Sequence, residues 1–257
     1  MRPIRNAVLG HSTNMTSMTS RFSNFCRVLL IVTVLAPSYP ASEAHAVRWS
    51  PRLELKGLAD LDARLHRPFG DVFEGKVNGQ QVTIANCADY LADSREHFTV
   101  TGGEQASIVL HSDAVDCVAL DALRYARPAA ISYLADFHLN ASALAHLSPL
   151  LAPAVSNEEI AKARTATESG ESWQQFVPSA HAKLANQPGT MDVNQPNWET
   201  TITEYGRGDF TGDGLEDLLV RADYAATKGT YRNTRLFLLS RKTASGVLSV
   251  AKEYTIP

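Results

Sequence analysis

Hydrophobic positions are spaced differently in the two halves of the chain. From about Val47 to Leu184 most apolar residues recur every three or four positions, which is the spacing of an amphipathic helix. After residue 197 they alternate with polar residues, which is the spacing of a β-strand. We therefore expect an α+β protein, with a helix-rich N-terminal region followed by a C-terminal antiparallel sheet.

The clearest helical pattern covers residues 115–127. One side of this helix collects the apolar side chains of Val115, Val118, Ala119, Ala122, Leu123 and Ala126. Pro128 is expected to end the helix, because it lacks a main-chain donor. Cys117 falls on the opposite, polar side, so a partner for its thiol must come from a segment lying over that face.

Two short motifs add detail to this region. The pair Asn78-Gly79 lies between two β-prone runs, and this pair strongly favours a two-residue hairpin turn. Ser156, followed three residues later by Glu159, forms a capping box and predicts a helix that runs to about Thr167. The N-terminal region is therefore expected to be mostly helical, with one small hairpin.

The C-terminal pattern predicts four strands, at residues 198–205, 218–224, 234–241 and 247–256. Short connections between consecutive strands favour an antiparallel four-stranded meander. Residues 186–197 are rich in Asn, Gln, Pro and Gly and hold few side chains that pack, so they are expected to form a linker. The expected domains are thus residues 47–185 and 198–257.

The N-terminal 46 residues have the pattern of a secretory signal peptide. An apolar run of nine residues, 28–36, follows Arg21 and Arg27 and precedes an Ala44-His45-Ala46 cleavage motif. A helix of this length spans about 14 Å, half of a hydrocarbon core of roughly 30 Å, so a membrane span is disfavoured. The alternative is a buried helix of the core. We expect residues 1–46 to be removed and the mature protein to be periplasmic or secreted.

Removal of the leader makes the protein more acidic. The chain has 24 Lys and Arg against 27 Asp and Glu, and the leader holds four arginines and one glutamate, which leaves 20 against 26. No basic stripe remains that would suit nucleic acid or an anionic membrane. A nucleic-acid partner is therefore not expected, and the remaining length suffices for one large domain or two small ones.

Two cysteines remain after the expected cleavage, Cys87 and Cys117. An even pair in an oxidising compartment is most simply one disulfide. A metal site would need more thiols or histidines at ligand spacing, and no C-x-x-C motif is present. We expect one intramolecular bond between these two residues.

One segment carries a recognisable chemical pattern. Between the first two predicted strands, oxygen-bearing groups recur at Asp209, Thr211, Asp213, the main-chain carbonyl of Leu215, and Asp217. A tightly curled loop turns such groups inward around one hard cation, and a glycine at the sixth position permits the sharp turn. The spacing predicts a Ca²⁺ site with a dissociation constant on the order of 10⁻⁴ M or weaker, as in extracellular modules.

This loop resembles the D-x-[DN]-x-D-G-x-x-D loop of FG-GAP/VCBS-type repeats. In that family the loop joins two strands of a propeller blade and holds calcium, which implies the same ligands and a structural ion here. Thr211 departs from the usual Asn or Asp, and a neutral hydroxyl coordinates calcium more weakly than a carboxylate does. Only one such unit occurs in the chain, so the resemblance does not imply a closed propeller. The alternative interpretation is a plain acidic turn, since Asp and Gly favour β-connections.

Known catalytic motifs are missing from the sequence. It contains no G-x-S-x-G, H-E-x-x-H, Walker or G-x-G-x-x-G pattern, and the histidines after residue 46 occur singly. We expect an exported, non-enzymatic binding protein, such as an inhibitor or immunity-type partner of another extracytoplasmic protein. The alternative is an extracytoplasmic hydrolase with scattered catalytic residues. Convergent polar groups with perturbed pKa values in a cleft would favour the hydrolase.

Overall fold

The computed structural model describes residues 44–93 and 98–256. Residues 1–43, with most of the expected leader, lie outside this part of the chain. Residues 44–46, the expected cleavage motif, are described, and the main chain of His45 pairs with that of Ala129 through hydrogen bonds of 2.7 and 2.9 Å. The export signal stays a prediction from the sequence.

The N-terminal half alternates helices with short strands. Its elements are β1 (Arg48–Trp49), α1 (Leu58–Leu65), β2 (Pro68–Val77), β3 (Gln80–Asn86), α2 (Cys87–Asp93), β4 (Phe98–Val100) and α3 (Gly103–Arg124). The predicted hairpin is confirmed, because Val77 pairs with Gln80 across a turn in which Asn78 and Gly79 both have positive φ. β4 adds a third strand beside β2, which the sequence did not predict.

The helix predicted at 115–127 is the C-terminal half of α3, which begins twelve residues earlier at Gly103 and ends at Arg124. Cys117 is fully buried although it lies on the polar side, because α2 covers that face. The expected disulfide is confirmed, with Cys87 and Cys117 bonded to each other. It joins the start of α2 to the middle of α3.

The chain between α3 and the large sheet has little regular structure. It contains two 3₁₀ turns, α4 (Asn157–Glu168) and α5 (Trp173–Phe176). The capping box of α4 is confirmed, since Ser156 and Glu159 exchange side-chain and main-chain hydrogen bonds. The same arrangement between Ser172 and Gln175 begins α5. Trp173 is fully buried and anchors this segment on the sheet.

The C-terminal sheet is antiparallel, as predicted, but it has six consecutive strands rather than four. They are β5 (His181–Leu184), β6 (Thr190–Gln195), β7 (Trp198–Gly208), β8 (Asp217–Ala226), β9 (Arg232–Ser240) and β10 (Ser249–Tyr254), in the spatial order of the chain. β6 runs through residues 186–197, the expected linker. Its buried Met191 and Val193 alternate with Asp192 and Asn194, and the turn formers on either side conceal this short pattern.

Both faces of this sheet are covered by earlier parts of the chain. One core joins Leu219, Leu236 and Leu238 to α1, α2 and α3. The other joins residues such as Val220 and Phe237 to the segment of residues 134–180. Residues 47–185 and 198–257 therefore share two hydrophobic cores, rather than each burying a core of its own.

β1 and a buried arginine tie distant parts of the chain to β7. Trp49 pairs with Gly206, and Gly206 is close enough to α3 that a Cβ there would lie 2.7 Å from Leu123 Cδ2. The Arg207 guanidinium is buried, pairs with Glu204, and donates to two main-chain carbonyls of the segment between α3 and α4. Within the part of the chain that the structure describes, no helix has the length and apolar character needed to cross a membrane.

Candidate functional site

The predicted calcium loop connects β7 to β8 at one end of the sheet. Gly208 and Asp217 face each other in register at its base. The loop is held against residues 127–131 by main-chain hydrogen bonds. Asp209 and Arg127 exchange two bonds of 2.8 and 2.9 Å, and the carbonyl of Gly214 accepts from the amides of Ala130 and Ile131. The loop is therefore fixed by a second segment and not only by its own strands.

Asp209 organises the first half of the loop. Its side chain is 6% exposed. Its Oδ1 accepts from the amide of Gly212 at 2.6 Å, and its Oδ2 accepts from the amide of Gly214 at 3.0 Å. Both glycines have a φ of 81°, a conformation that side-chain-bearing residues rarely adopt. Gly214, the glycine expected to permit the sharp turn, thus adopts a left-handed conformation.

Asp217 closes the loop from the other side and is completely buried. Its Oδ2 accepts from the amides of Phe210 and Thr211, at 3.1 and 3.3 Å. Its Oδ1 makes no well-formed hydrogen bond, and neither does the Ser240 hydroxyl that lies beside this carboxyl. Burial raises the pKa of the Asp217 carboxyl, and the hydrogen-bonding groups of Ser240 and Phe210 oppose this shift without cancelling it. A buried carboxylate oxygen without a well-formed hydrogen bond is unusual, because desolvation without a hydrogen bond is unfavourable.

The other predicted ligands lie nearer the surface. Thr211 and Asp213 are exposed, and Leu215 is half-buried. Asp213 Oδ1 accepts from the amide of Leu215 at 2.9 Å, which forms a local turn. Across the described ranges, 44–93 and 98–256, no three His, Cys, Asp or Glu side chains converge closely enough to form a metal-holding group. The structure places Asp209 and Asp217 around the same loop backbone and leaves Asp213 at its outer edge.

Glu216 lies within the loop, and its buried contacts are not evident from the sequence. It is 1% exposed, and its Oε1 accepts from the Arg48 guanidinium at 2.9 Å. Its Oε2 accepts from the hydroxyl of Ser132, and its amide donates to the carbonyl of Ile131. The local sequence pattern does not predict this burial, because the ion-pair partner Arg48 lies near the N-terminus and far away in the sequence.

A second group of charges lies where α3 packs on the sheet. Asp116 accepts hydrogen bonds from the Tyr205 hydroxyl and from Arg221, and Arg221 also binds both oxygens of Asp223. Burial and the charge of Asp116 raise the pKa of Tyr205. Burial alone would lower the pKa of Arg221, but its bonds to Asp223 and the charge of Asp116 outweigh this, so that its pKa is raised. Each charged group of this network therefore has a hydrogen-bonded partner of opposite charge.

Beside this network a cleft of about 170 Å³ opens between α1 and α3. Its lining comprises Arg64, Arg67, Pro68, Phe69, Cys87, Asp113, Asp116 and Leu120. Asp113 lies one helical turn before Asp116, on the same side of α3. Burial first, and then the charge of Asp116, raises the pKa of the Asp113 carboxyl. No local pattern connects Arg64 and Arg67 with Asp113, because only the folded structure brings α1 and α3 together.

Comparison of the chain with protein-family models, curated proteins and solved structures finds no match in any of the three. The FG-GAP/VCBS resemblance therefore rests on the loop at residues 209–217 alone. Function has to be argued from the chemistry of this loop and of the charged cleft.

Proposed function

We propose that this protein is an exported, non-enzymatic binding protein that recognises another extracytoplasmic protein and uses a structural Ca²⁺ in the β7–β8 loop. The observation that carries the calcium part is the completely buried Asp217 carboxylate, whose Oδ1 makes no well-formed hydrogen bond. Buried carboxylates are normally paired or coordinate a metal. A cation at this oxygen would compensate for its burial more strongly than the neutral hydroxyl of Ser240 does.

The donor set in the loop suits calcium. The ligands would be the carboxylates of Asp209, Asp213 and Asp217, the Thr211 hydroxyl and the Leu215 carbonyl, all of them oxygens. Asp209 and Asp217 already lie on either side of the loop backbone. A bound Ca²⁺ would neutralise their charge and hold the turn between β7 and β8. Magnesium suits the loop less, because it demands near-ideal octahedral geometry.

The disulfide supports an extracytoplasmic location. The bond between Cys87 and Cys117 joins α2 to α3 inside a hydrophobic core. Such structural disulfides persist in oxidising compartments and are rare in the cytosol. Together with the apolar run and cleavage motif of the leader, it argues for export.

The partner surface is proposed beside the loop. Ile131 is 47% exposed, and its main chain is bonded to the loop at both Gly214 and Glu216. An exposed isoleucine held rigidly is suited to burial against a partner, since little conformational entropy is lost on binding. Because calcium would fix the loop that supports Ile131, binding of the partner is expected to depend on calcium.

The calcium site is tested by thermal unfolding. Calcium at ten times its dissociation constant adds about 1.4 kcal/mol, which raises the melting temperature by about 3–6 °C in a domain of this size. Asp213→Asn should remove most of this shift, because the amide oxygen can still accept from Leu215 while one ligand charge is lost. Glu199→Gln, on an exposed residue at the far end of β7, is the control and should keep the full shift. If the melting temperature of the wild-type protein does not change up to about 10 mM calcium, the loop is a plain acidic turn and the calcium proposal is wrong.

The binding function is tested by affinity capture of extracytoplasmic protein on immobilised residues 47–257. Capture is expected in millimolar calcium and not in chelator. Ile131→Asp should abolish it, whereas Ile108→Asp, which alters an isoleucine on α3 that is 51% exposed, should not. Equal capture by both variants, or capture that ignores calcium, would contradict the proposal.

The hydrolase remains a second candidate, and one observation favours it. The cleft between α1 and α3 brings Asp113, whose carboxyl pKa is raised, next to Asp116, whose charge is held by Arg221. Two carboxyl groups in different environments are a known basis for acid–base catalysis. Hydrolysis of model ester, phosphate, glycoside or peptide substrates that is lost in Asp113→Asn would support this candidate. Activity that survives this substitution would count against it.

A further inference from the structure

The cleft between α1 and α3 presents charges of both signs that do not pair with each other. Arg64 and Arg67 lie at the end of α1 and just after it, and Asp113 faces the same cleft from α3. Among residues 44–93 and 98–256, none of these three side chains takes part in an ion pair. Opposite charges that share a small cleft without touching leave a space that a ligand can bridge.

The other carboxylate in the lining of the cleft, Asp116, already has hydrogen-bond partners within the protein. Asp116 is held by Tyr205 and by Arg221, and Arg221 is held in turn by Asp223. Asp116 is therefore a fixed part of the cleft, whereas Asp113 remains available to a ligand. The half-buried position of Asp113 strengthens its attraction for a cation, since water screens the charge less than at an open surface.

The cleft is small. Its volume of about 170 Å³ lies below the roughly 300 Å³ at which pockets for drug-sized ligands begin. Phe69 and Leu120 are among the apolar residues that line it. These dimensions suit a ligand of few heavy atoms.

We propose that this cleft binds a small zwitterion with the size and charges of a free α-amino acid, whose carboxylate meets Arg64 and Arg67 and whose ammonium group meets Asp113. Arginine is well matched to a carboxylate, because its planar guanidinium donates two parallel hydrogen bonds. A simple anion would be repelled by Asp113 and Asp116, and a simple cation by the two arginines. The proposal is independent of the calcium loop and of a protein partner.

The test is an NMR titration of ¹⁵N-labelled residues 47–257 with each of the standard amino acids in turn. At least one is expected to produce saturable shifts centred on the amides of α1 and α3. Acetate and methylammonium, which carry one charge each, should produce none that saturate in the same range. Asp113→Asn, and separately the double change of Arg64→Gln and Arg67→Gln, should weaken binding at least tenfold.

Matched controls separate the cleft from the surrounding surface. Asp62→Asn on α1 and Arg164→Gln on α4 change exposed residues outside the cleft and should leave the titration unchanged. Asp213→Asn should also leave it unchanged, so that failure of the calcium proposal and failure of this one are told apart. Well-dispersed spectra of the cleft variants show that they fold, and Asp113→Glu, which keeps the charge, should retain binding. No saturation by any amino acid, or equal binding of acetate alone, overturns the proposal.

Discussion

Tyr205 illustrates how one hydroxyl can couple a sheet to a helix. It lies on β7, is 2% exposed, and its hydroxyl donates a hydrogen bond to Asp116 of α3. Burial and the charge of Asp116 both favour the neutral phenol and raise its pKa. The folded state therefore keeps the proton in a pH range in which the unfolded chain loses it.

This coupling predicts a particular pH dependence of stability. Tyr205→Phe should lower the free energy of unfolding at neutral pH by about 1.5–3 kcal/mol, the range for a hydrogen bond to a charged group. Because the pKa is raised in the folded state, the contribution of Tyr205 is complete below about pH 10, the unfolded value, and is lost as the pH rises further. The difference between wild type and variant, measured by urea unfolding, should thus shrink above about pH 10.

Tyr125→Phe is the control for this measurement, since Tyr125 is 69% exposed at the end of α3. It should change stability little at any pH. A difference between wild type and Tyr205→Phe that stays constant from neutral to alkaline pH would contradict the coupling.

At the same scale, the sequence predicted the oxygen-bearing residues of the loop but not their different environments. The spacing of Asp209, Asp213 and Asp217 is visible in the sequence. That Asp217 is buried and Asp213 exposed depends on packing against residues 127–131. Glu216 was missed for the same reason, because its partner Arg48 is distant in the sequence.

The elements were predicted best where local chemistry determines them. The Asn78-Gly79 turn and the Ser156 capping box each involve a few neighbouring residues, and both are found in the structure. The sequence predicts a linker where β6 lies, because only Met191 and Val193 mark the buried face of this strand among polar residues and turn formers. A strand so short is stabilised mainly by its neighbours β5 and β7, and single-sequence patterns do not contain that information.

The close approach of three elements at Gly206 gives a prediction at this scale. A Cβ at this position would lie 2.7 Å from Leu123 Cδ2 of α3 and 2.8 Å from the main-chain carbonyl of Arg48 in β1. Gly206→Ala should therefore lower the free energy of unfolding by about 1–3 kcal/mol, the range for overpacking. Gly70→Ala, at a position on β2 with no atom within 4 Å, should have little effect. Equal urea midpoints for the two variants would show that β1 and α3 can move away from β7.

At the scale of the whole molecule, the predicted linker at residues 186–197 implies two separate domains. In the structure, however, each hydrophobic core contains residues from before and after this segment. Leu219, Leu236 and Leu238 of the sheet lie in the same cluster as the buried residues of α3. A fragment of residues 47–185 lacks the sheet, so it should expose the apolar side of the helices that normally packs on the sheet. It should therefore bind a hydrophobic dye and unfold without a cooperative transition. A sharp melting transition of the fragment would restore the two-domain interpretation. The intact protein, measured under the same conditions, provides the reference.

The pairing of Arg48 with Glu216 has a consequence for the order of events after synthesis begins. The two residues are 168 positions apart. At roughly 5–20 residues per second, a ribosome needs about ten to thirty seconds to make the chain between them. Until β7 has been made, β1 has no strand to pair with, and α3 has no complete sheet to cover until the later strands follow. In the proposed export, the nascent chain therefore still lacks this sheet while a secretion channel, which accepts unfolded polypeptide, engages it.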